Sequence, residues 1–329
     1  MHLAAIFGCS GPGLSGAERD FFRVAQPWGF ILFARNIENA DQLRRLTADL
    51  RESVGWNAPI LIDQEGGRVA RLRAPLASEW LPPLDMAAAA GADQERAFYL
   101  RYRLIAAELK SYGIDVNCAP MADVANDQTH PFLRNRCYGT SLQAVTANAR
   151  ASAQGHLDGG VLPVLKHIPG HGRGQVDSHL DLPRVTADEA SLRDVDFAAF
   201  KALNDLPLGM TAHLVYEALD DRPATLSPKL IRMICQDIGF DGLLMTDDIS
   251  MGALSGTVAR RSERAILSGC DLVLHCNGEM ADMEAIADVV GDLSDAGQTR
   301  AERALALRDY ASDIDKEAFQ AEFSTLVKG

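Results

Sequence analysis

The residues from Lys166 to Pro183, KHIPGHGRGQVDSHLDLP, gather three of the chain's eight histidines with a lysine, an arginine, two aspartates and three glycines. Such a set can move protons, hold a hydroxyl-rich ligand or bind a metal ion. Asp177 and His179 stand two residues apart, so the carboxylate can hydrogen-bond the imidazole. That contact fixes the tautomer, raises the pKa and makes a usable proton donor. The plain alternative is a contact that only staples the loop. Lys166 and His167 open the segment, and a buried lysine is costly unless paired. Together they suit hydrogen bonds to a polyhydroxylated ligand. His171 is either a ligand contact or a loop staple.

A second centre is Asp247, in LLMTDDISM. A carboxylate in an apolar frame is a candidate nucleophile or base. Its neighbour Asp248 competes for the role. Side chains alternate along an extended segment, so the two should not share one pocket, and one would cap the following helix. Asp63, Arg71 and Arg136 offer an acceptor and two donors for ligand binding, or else form surface salt bridges. His213 is either a satisfied interior histidine or a site residue. His2, His130 and His156 read as surface positions.

A metal site deserves weighing, because His167, His171, Asp177 and His179 are eligible zinc ligands. Barrel metallohydrolases usually collect ligands from several strands, often starting with H-x-H on the first. Here Cys9-Ser10-Gly11 follows the first apolar run, and the Pro169-Gly170 turn dictates the geometry between His167 and His171. The expectation is a site without metal.

The elements that must position these residues are eight short apolar runs, at residues 3–8, 29–33, 59–62, 115–118, 161–165, 208–211, 242–245 and 271–274. Near-continuous hydrophobicity marks strands buried on both faces. Amphipathic stretches lie between most of them, at 40–54, 92–112, 141–157, 186–204, 227–238, 258–268 and 279–294, and a last helix is expected at 299–316. This alternation predicts an α/β fold, a single-domain (β/α)8 TIM barrel, with a C-terminal helical extension from about residue 297. A doubly wound sheet is the runner-up, but GCSGPGLSG is a poor match to its glycine-rich phosphate loop. Nearly every apolar run ends in a polar cluster. In a barrel those ends converge on one face, so residues far apart in sequence share one pocket.

Composition narrows the function. The chain has 329 residues, 47% of them apolar and 23% charged, as in an ordinary soluble globular protein. A net charge of −13 argues against nucleic acid or an anionic membrane as partner. No apolar run reaches the length of a membrane span, and the N-terminus reads as a first strand rather than a signal peptide. Six cysteines without a CxxC pair predict buried, reduced thiols and a cytoplasmic location.

With these residues in hand, the chain resembles the family 3 glycoside hydrolases, in particular the single-domain bacterial β-N-acetylhexosaminidases. The resemblance runs from the first strand to about the last barrel helix. It rests on the ordered motifs ILFARN, LIDQEGGRVARLR, VNCAPMADV, RNRCYG, KHIPGHG, DSHLDLP, MTAHLVY and MTDDISM. It implies that Asp247 is the nucleophile, that His179 is the general acid/base with Asp177 as its partner, and that Asp63, Arg71, Arg136, Lys166 and His167 bind the sugar. It further implies retaining hydrolysis through a covalent glycosyl-enzyme, with no metal and no organic cofactor. The substrate implied is N-acetylglucosamine β-linked to 1,6-anhydro-N-acetylmuramic acid, with or without peptide, as arises in peptidoglycan recycling. The expected partner is therefore a small carbohydrate or muropeptide, acted on by a monomer. A family 3 phosphorylase, a β-glucosidase or β-xylosidase, a metal-dependent barrel hydrolase and a non-catalytic sugar-binding barrel are the competing readings.

Overall fold

A computed structural model describes residues 2–175 and 182–327. Asp177 and His179 lie outside the described residues. All eight apolar runs form strands: β1 (Leu3–Gly8), β2 (Pro27–Leu32), β3 (Ile60–Ile62), β4 (Val116–Asn117), β5 (Leu162–Ile168), β6 (Leu208–Thr211), β7 (Leu243–Asp248) and β8 (Leu272–His275). They close into a barrel in which each strand pairs in parallel with its sequence neighbours, and β1 pairs with β8. Closure removes every edge, and the ring of helices removes the outer face from water. Hence the strands need apolar side chains on both sides.

Two interruptions of the ladder matter for chemistry. The register shifts between Leu165 and Ile168 on β5, and between Met245 and Asp248 on β7. Irregular pairing at a strand end re-aims side chains. This is why Lys166 and His167 both line one cleft, and why Asp247 and Asp248 both border it. Strict alternation would have sent one of each pair to the opposite side.

The helices Ala40–Val54 and Val258–Ser268 match the expected limits. Asn39 and Thr257 cap their first turns through the side chain, and Gly55 and Gly269 end them in the left-handed region. Helices Gly16–Ala25 and Pro83–Ala90 add to the expected set, the first started by a reciprocal Ser15–Glu18 capping box. The stretch at 186–204 is not one helix: it runs Glu189–Ser191, a wider π turn Leu192–Asp196, then Phe197–Lys201. The helix expected at 299–316 is also divided. Asp295–Ala306 ends, and Lys316–Leu326 begins after Asp315 caps it. Between them Ser312 is tied down: its N–H and hydroxyl donate to the Asp158 carbonyl and its own carbonyl accepts from Arg103. Those bonds to two neighbouring helices replace the intrahelical ones.

Among the described residues no helix is long and apolar enough to cross a membrane. All six cysteines are unpaired. Cys9, Cys118, Cys137 and Cys270 are buried as expected, Cys276 is half-buried, and Cys235 is exposed, against expectation. Burial pushes the Cys9 thiol up to about 12, so it stays protonated and inert.

Candidate active site

The C-terminal strand ends enclose a cleft of about 280 Å3. Four charged residues, Asp63, Arg71, Arg136 and Lys166, line it, and a fifth, Glu65, lies buried behind them. Asp63 follows β3 and accepts from Lys166 Nζ at 3.0 Å and from Arg71 Nη2 at 2.9 Å. Lys166 also meets Glu65 Oε1 at 2.6 Å. Glu65 in turn takes both arms of the Arg136 guanidinium, at 2.9 and 2.8 Å. Lys166 and Glu65 are fully buried, so neither charge is tolerable alone. Burial by itself would raise Asp63 and Glu65; the Lys166 and Arg71 charges hold Asp63 far below the usual carboxylate range. Arg136 and Lys166 likewise hold Glu65 at about 2. Burial would likewise lower Lys166, but Asp63 and Glu65 overcome it and keep it charged above its ordinary range.

A short hairpin, Gln64–Gly66 against Val69–Ala70, brings Asp63, Glu65 and Arg71 together. Gly66 adopts φ 102°, and any side chain there would collide with Arg101, which donates to the Glu65 carbonyl. Asn117 on β4 pins the hairpin by exchanging bonds with the Gln64 backbone at 2.9 and 3.0 Å. His156 holds Asn117 through Nε2 at 2.9 Å while its Nδ1–H donates to the Ser152 carbonyl. The expected surface position of His156 is thus wrong. It is fully buried, burial lowers its pKa to about 3, and it stays neutral as a scaffold residue.

On β7 the two aspartates divide their work. The Asp248 carboxylate accepts from Ser250 N and Oγ, at 3.1 and 2.7 Å, and from Cys276 N at 3.2 Å. Both its oxygens are occupied in holding loop backbone. Among the described residues Asp247 accepts a single bond, from the Asp248 N–H at 2.8 Å, and it lines the cleft. Burial would raise the Asp247 pKa, but His213, His167, that N–H and Lys166 outweigh it and hold it below the ordinary value. It is therefore an ionised carboxylate with open lone pairs, as a nucleophile requires. His213 is a satisfied interior residue: Nε2–H donates to the Asp248 carbonyl at 2.9 Å, and Nδ1 pairs with Thr225 Oγ1 at 2.8 Å. It supports the strand that carries Asp247.

His167 Nδ1 lies 2.8 Å from Asp123 Oδ2, and the His171 N–H donates to Asp123 Oδ1 at 2.5 Å. The His171 ring is buried against His167 and neither of its nitrogens has a partner among the described residues. Burial and His167 lower it to about 4, so it is neutral near pH 7. His130, expected at the surface, also lines the cleft, where its Nδ1 accepts from the Phe132 N–H. Of the weighed metal set, His167 and His171 are placed here and the other two lie outside the described residues. Among those residues no group of three His, Cys, Asp or Glu could hold a metal ion.

The cleft thus brings together Asp63, Arg71, Arg136, Lys166, His167 and Asp247, drawn from positions 184 residues apart at the extremes. Sequence reasoning missed Glu65 and Asp123. Glu65 carried one available signal, its period-two spacing from Asp63. Asp123 closed the polar cluster after β4, but nothing local named its partner.

This charged set has a measurable consequence. Glu65 titrates lower folded than its ordinary 4.5, so its stabilisation is present above that value and lost as pH falls from 4.5 through about 2. Glu65→Gln leaves Lys166 and Arg136 short of a counter-charge and should cost about 3–5 kcal/mol at neutral pH. The gap in melting temperature between wild type and variant should shrink as pH falls from 7 to 3. A gap independent of pH would mean that Glu65 is not an ionised counter-ion.

Known proteins resemble this chain along most of its length. The model for the glycosyl hydrolase family 3 N-terminal domain matches residues 21–306. A β-hexosaminidase of Methylococcus capsulatus (Bath) is 36% identical over 326 residues, covering 96% of this chain and 94% of its own. One from Chromobacterium violaceum is 37% identical, covering 82% and 77%. NagZ from Neisseria gonorrhoeae, solved in complex with N-trifluoroacetyl-D-glucosamine, has the same fold with a TM-score of 0.87 at 27% identity, covering 99% of this chain and 98% of its own. The chain belongs to glycosyl hydrolase family 3 and is a glycoside hydrolase of the β-N-acetylhexosaminidase kind.

Proposed function

We propose that the chain is a retaining β-N-acetylglucosaminidase. It removes terminal β-linked N-acetylglucosamine from muropeptides, N-acetylglucosaminyl-1,6-anhydro-N-acetylmuramic acid with or without peptide, during cytoplasmic peptidoglycan recycling. The observation that carries this reading is Asp247: an ionised carboxylate with one hydrogen bond among the described residues, at the end of β7, facing a cleft of fixed donors and acceptors. It attacks the anomeric carbon while the leaving oxygen takes a proton, and the sugar is held as a glycosyl ester. Water, deprotonated by the same acid/base group, then displaces Asp247. His179, partnered by Asp177, is assigned the proton transfers. Asp63, Arg71, Arg136, Lys166 and His167 are assigned to the sugar hydroxyls, whose positions their mutual bonds preset. The N-acetylglucosamine derivative bound by the gonococcal protein supports the sugar assignment.

The test is hydrolysis of 4-nitrophenyl N-acetyl-β-D-glucosaminide beside the glucoside and xyloside, followed by the anhydromuramoyl disaccharide. Expected are turnover of the N-acetylglucosaminide alone, free N-acetylglucosamine of β configuration as first product, and cleavage of the disaccharide. A sugar 1-phosphate formed only with phosphate present would make the chain a phosphorylase. Preference for the glucoside would overturn the substrate assignment.

A further inference from the structure

We propose that Asp123 is a positioning residue of this reaction, which sets the face that His167 presents to the sugar; the inference rests on the sugar-binding assignment of His167. Asp123 is fully buried in the loop after β4, and β5 runs alongside, with Ala122 N–H donating to the Lys166 carbonyl at 2.9 Å. Its two oxygens do different work. Oδ1 accepts backbone N–H groups, from His171 at 2.5 Å and from His167 at 3.4 Å. Oδ2 faces the imidazole at 2.8 Å. A carboxylate only accepts, so His167 Nδ1 must carry the proton. With one proton on the ring, the other nitrogen, Nε2, faces the cleft as an acceptor for a sugar hydroxyl; Nε2 has no partner among the described residues. Without Asp123 the ring is free to take either tautomer and either face. An acceptor at that point is a choice with consequences, because the surrounding side chains Lys166, Arg71 and Arg136 are donors. The Asp123 carboxylate thus adds a ring-nitrogen acceptor to a wall whose other side-chain acceptors include the carboxylates Asp63 and Asp247.

Asp123→Asn separates the two jobs. Two backbone N–H groups compete for the one remaining oxygen, which leaves the amide NH2 against Nδ1. The ring must then accept there and carry its proton on Nε2, so the cleft face changes from acceptor to donor. The experiment is long-range 1H–15N NMR at pH 8 on protein labelled in histidine, with the His167 signals identified by their loss in His167→Ala. Wild type should show the Nδ1–H tautomer and Asp123→Asn the Nε2–H tautomer. In parallel, kcat/KM on the N-acetylglucosaminide should fall about 10–100-fold in Asp123→Asn, as for other groups that orient a ligating histidine. In a His167→Ala background the same change should cost less than about twofold. An Nε2–H tautomer in wild type overturns the proposal even if the variant fails to fold. So does an equal loss from Asp123→Asn with and without His167, which would mark a structural role. If wild type hydrolyses no N-acetylglucosaminide, the proposed function fails, while the tautomer measurement still reports on Asp123.

Discussion

Asp247→Ala should lower kcat/KM on 4-nitrophenyl N-acetyl-β-D-glucosaminide by about 10^4-fold or more, the scale on which loss of a nucleophile acts. The loss should fall on chemistry and not on folding. Removing a half-buried carboxylate that accepts one backbone N–H among the described residues leaves no cation orphaned there, since Lys166 keeps Asp63 and Glu65. The melting temperature should therefore change little, in contrast to Glu65→Gln. Asp248 offers the control. Its oxygens hold Ser250 and Cys276, so Asp248→Asn should disturb the loop and lower activity without moving the covalent bond. A 5-fluoro-N-acetylglucosaminyl fluoride should trap the intermediate, and mass spectrometry of the digest should place the sugar on Asp247. A label on Asp248, or none on any carboxylate while turnover continues, would transfer the attack to Asp248 or to the substrate's own acetamide.

The second large effect concerns the proton. His179→Ala should cost about 10^2–10^4-fold on a glycoside with a poor leaving group, and far less on a dinitrophenyl glycoside whose oxygen needs no proton. Asp177→Asn should follow the same pattern less steeply. Both residues lie outside the described structure, so the support comes from the cleft's other groups. Lys166 is held charged above its ordinary range by Asp63 and Glu65 despite burial, and Arg136 is held the same way by Glu65. His171 is neutral and His213 gives its Nε2 proton to the Asp248 carbonyl. His167 is a rival among the described residues, because it too is an imidazole against a carboxylate. Leaving-group dependence separates them. A sugar-binding His167 loses the same factor for every leaving group when replaced by Ala, whereas the acid loses more as the leaving group worsens. If His167→Ala shows the steep dependence and His179→Ala does not, the acid is His167.

Much of this architecture is readable in the chain because closure and double burial demand continuous apolar runs, and a barrel must send the polar residue after each run to one face. Asp63, Lys166, His167 and Asp247 all stand at such ends. What escaped reading depended on distant partners. Glu65 looks like one more charged loop residue until Arg136, 71 residues on, arrives beside it. His156 sits among polar neighbours on an amphipathic helix, and only Asn117 from another strand explains its burial. The break near Ser312 likewise reflects bonds to Asp158 and Arg103, which outcompete local helix propensity. Alternation misjudged the aspartate pair for a related reason, since the shift of register on β7 is a property of its pairing with β8.

The lattice around Lys166 also bears on selectivity. Lys166, Arg71 and Arg136 balance Asp63, Glu65 and Asp247, so this set carries no formal excess of either sign. On the sugar-binding assignment proposed above, each hydroxyl of an entering sugar meets a strong local dipole, yet the group as a whole exerts little pull on a distant ion. A neutral pyranose is thereby favoured by the shape of the field, and an acidic sugar or one with a free amino group in the same place would unbalance it and leave one charge uncompensated. Discrimination against charged sugars is then a property of the empty pocket, set before any ligand enters.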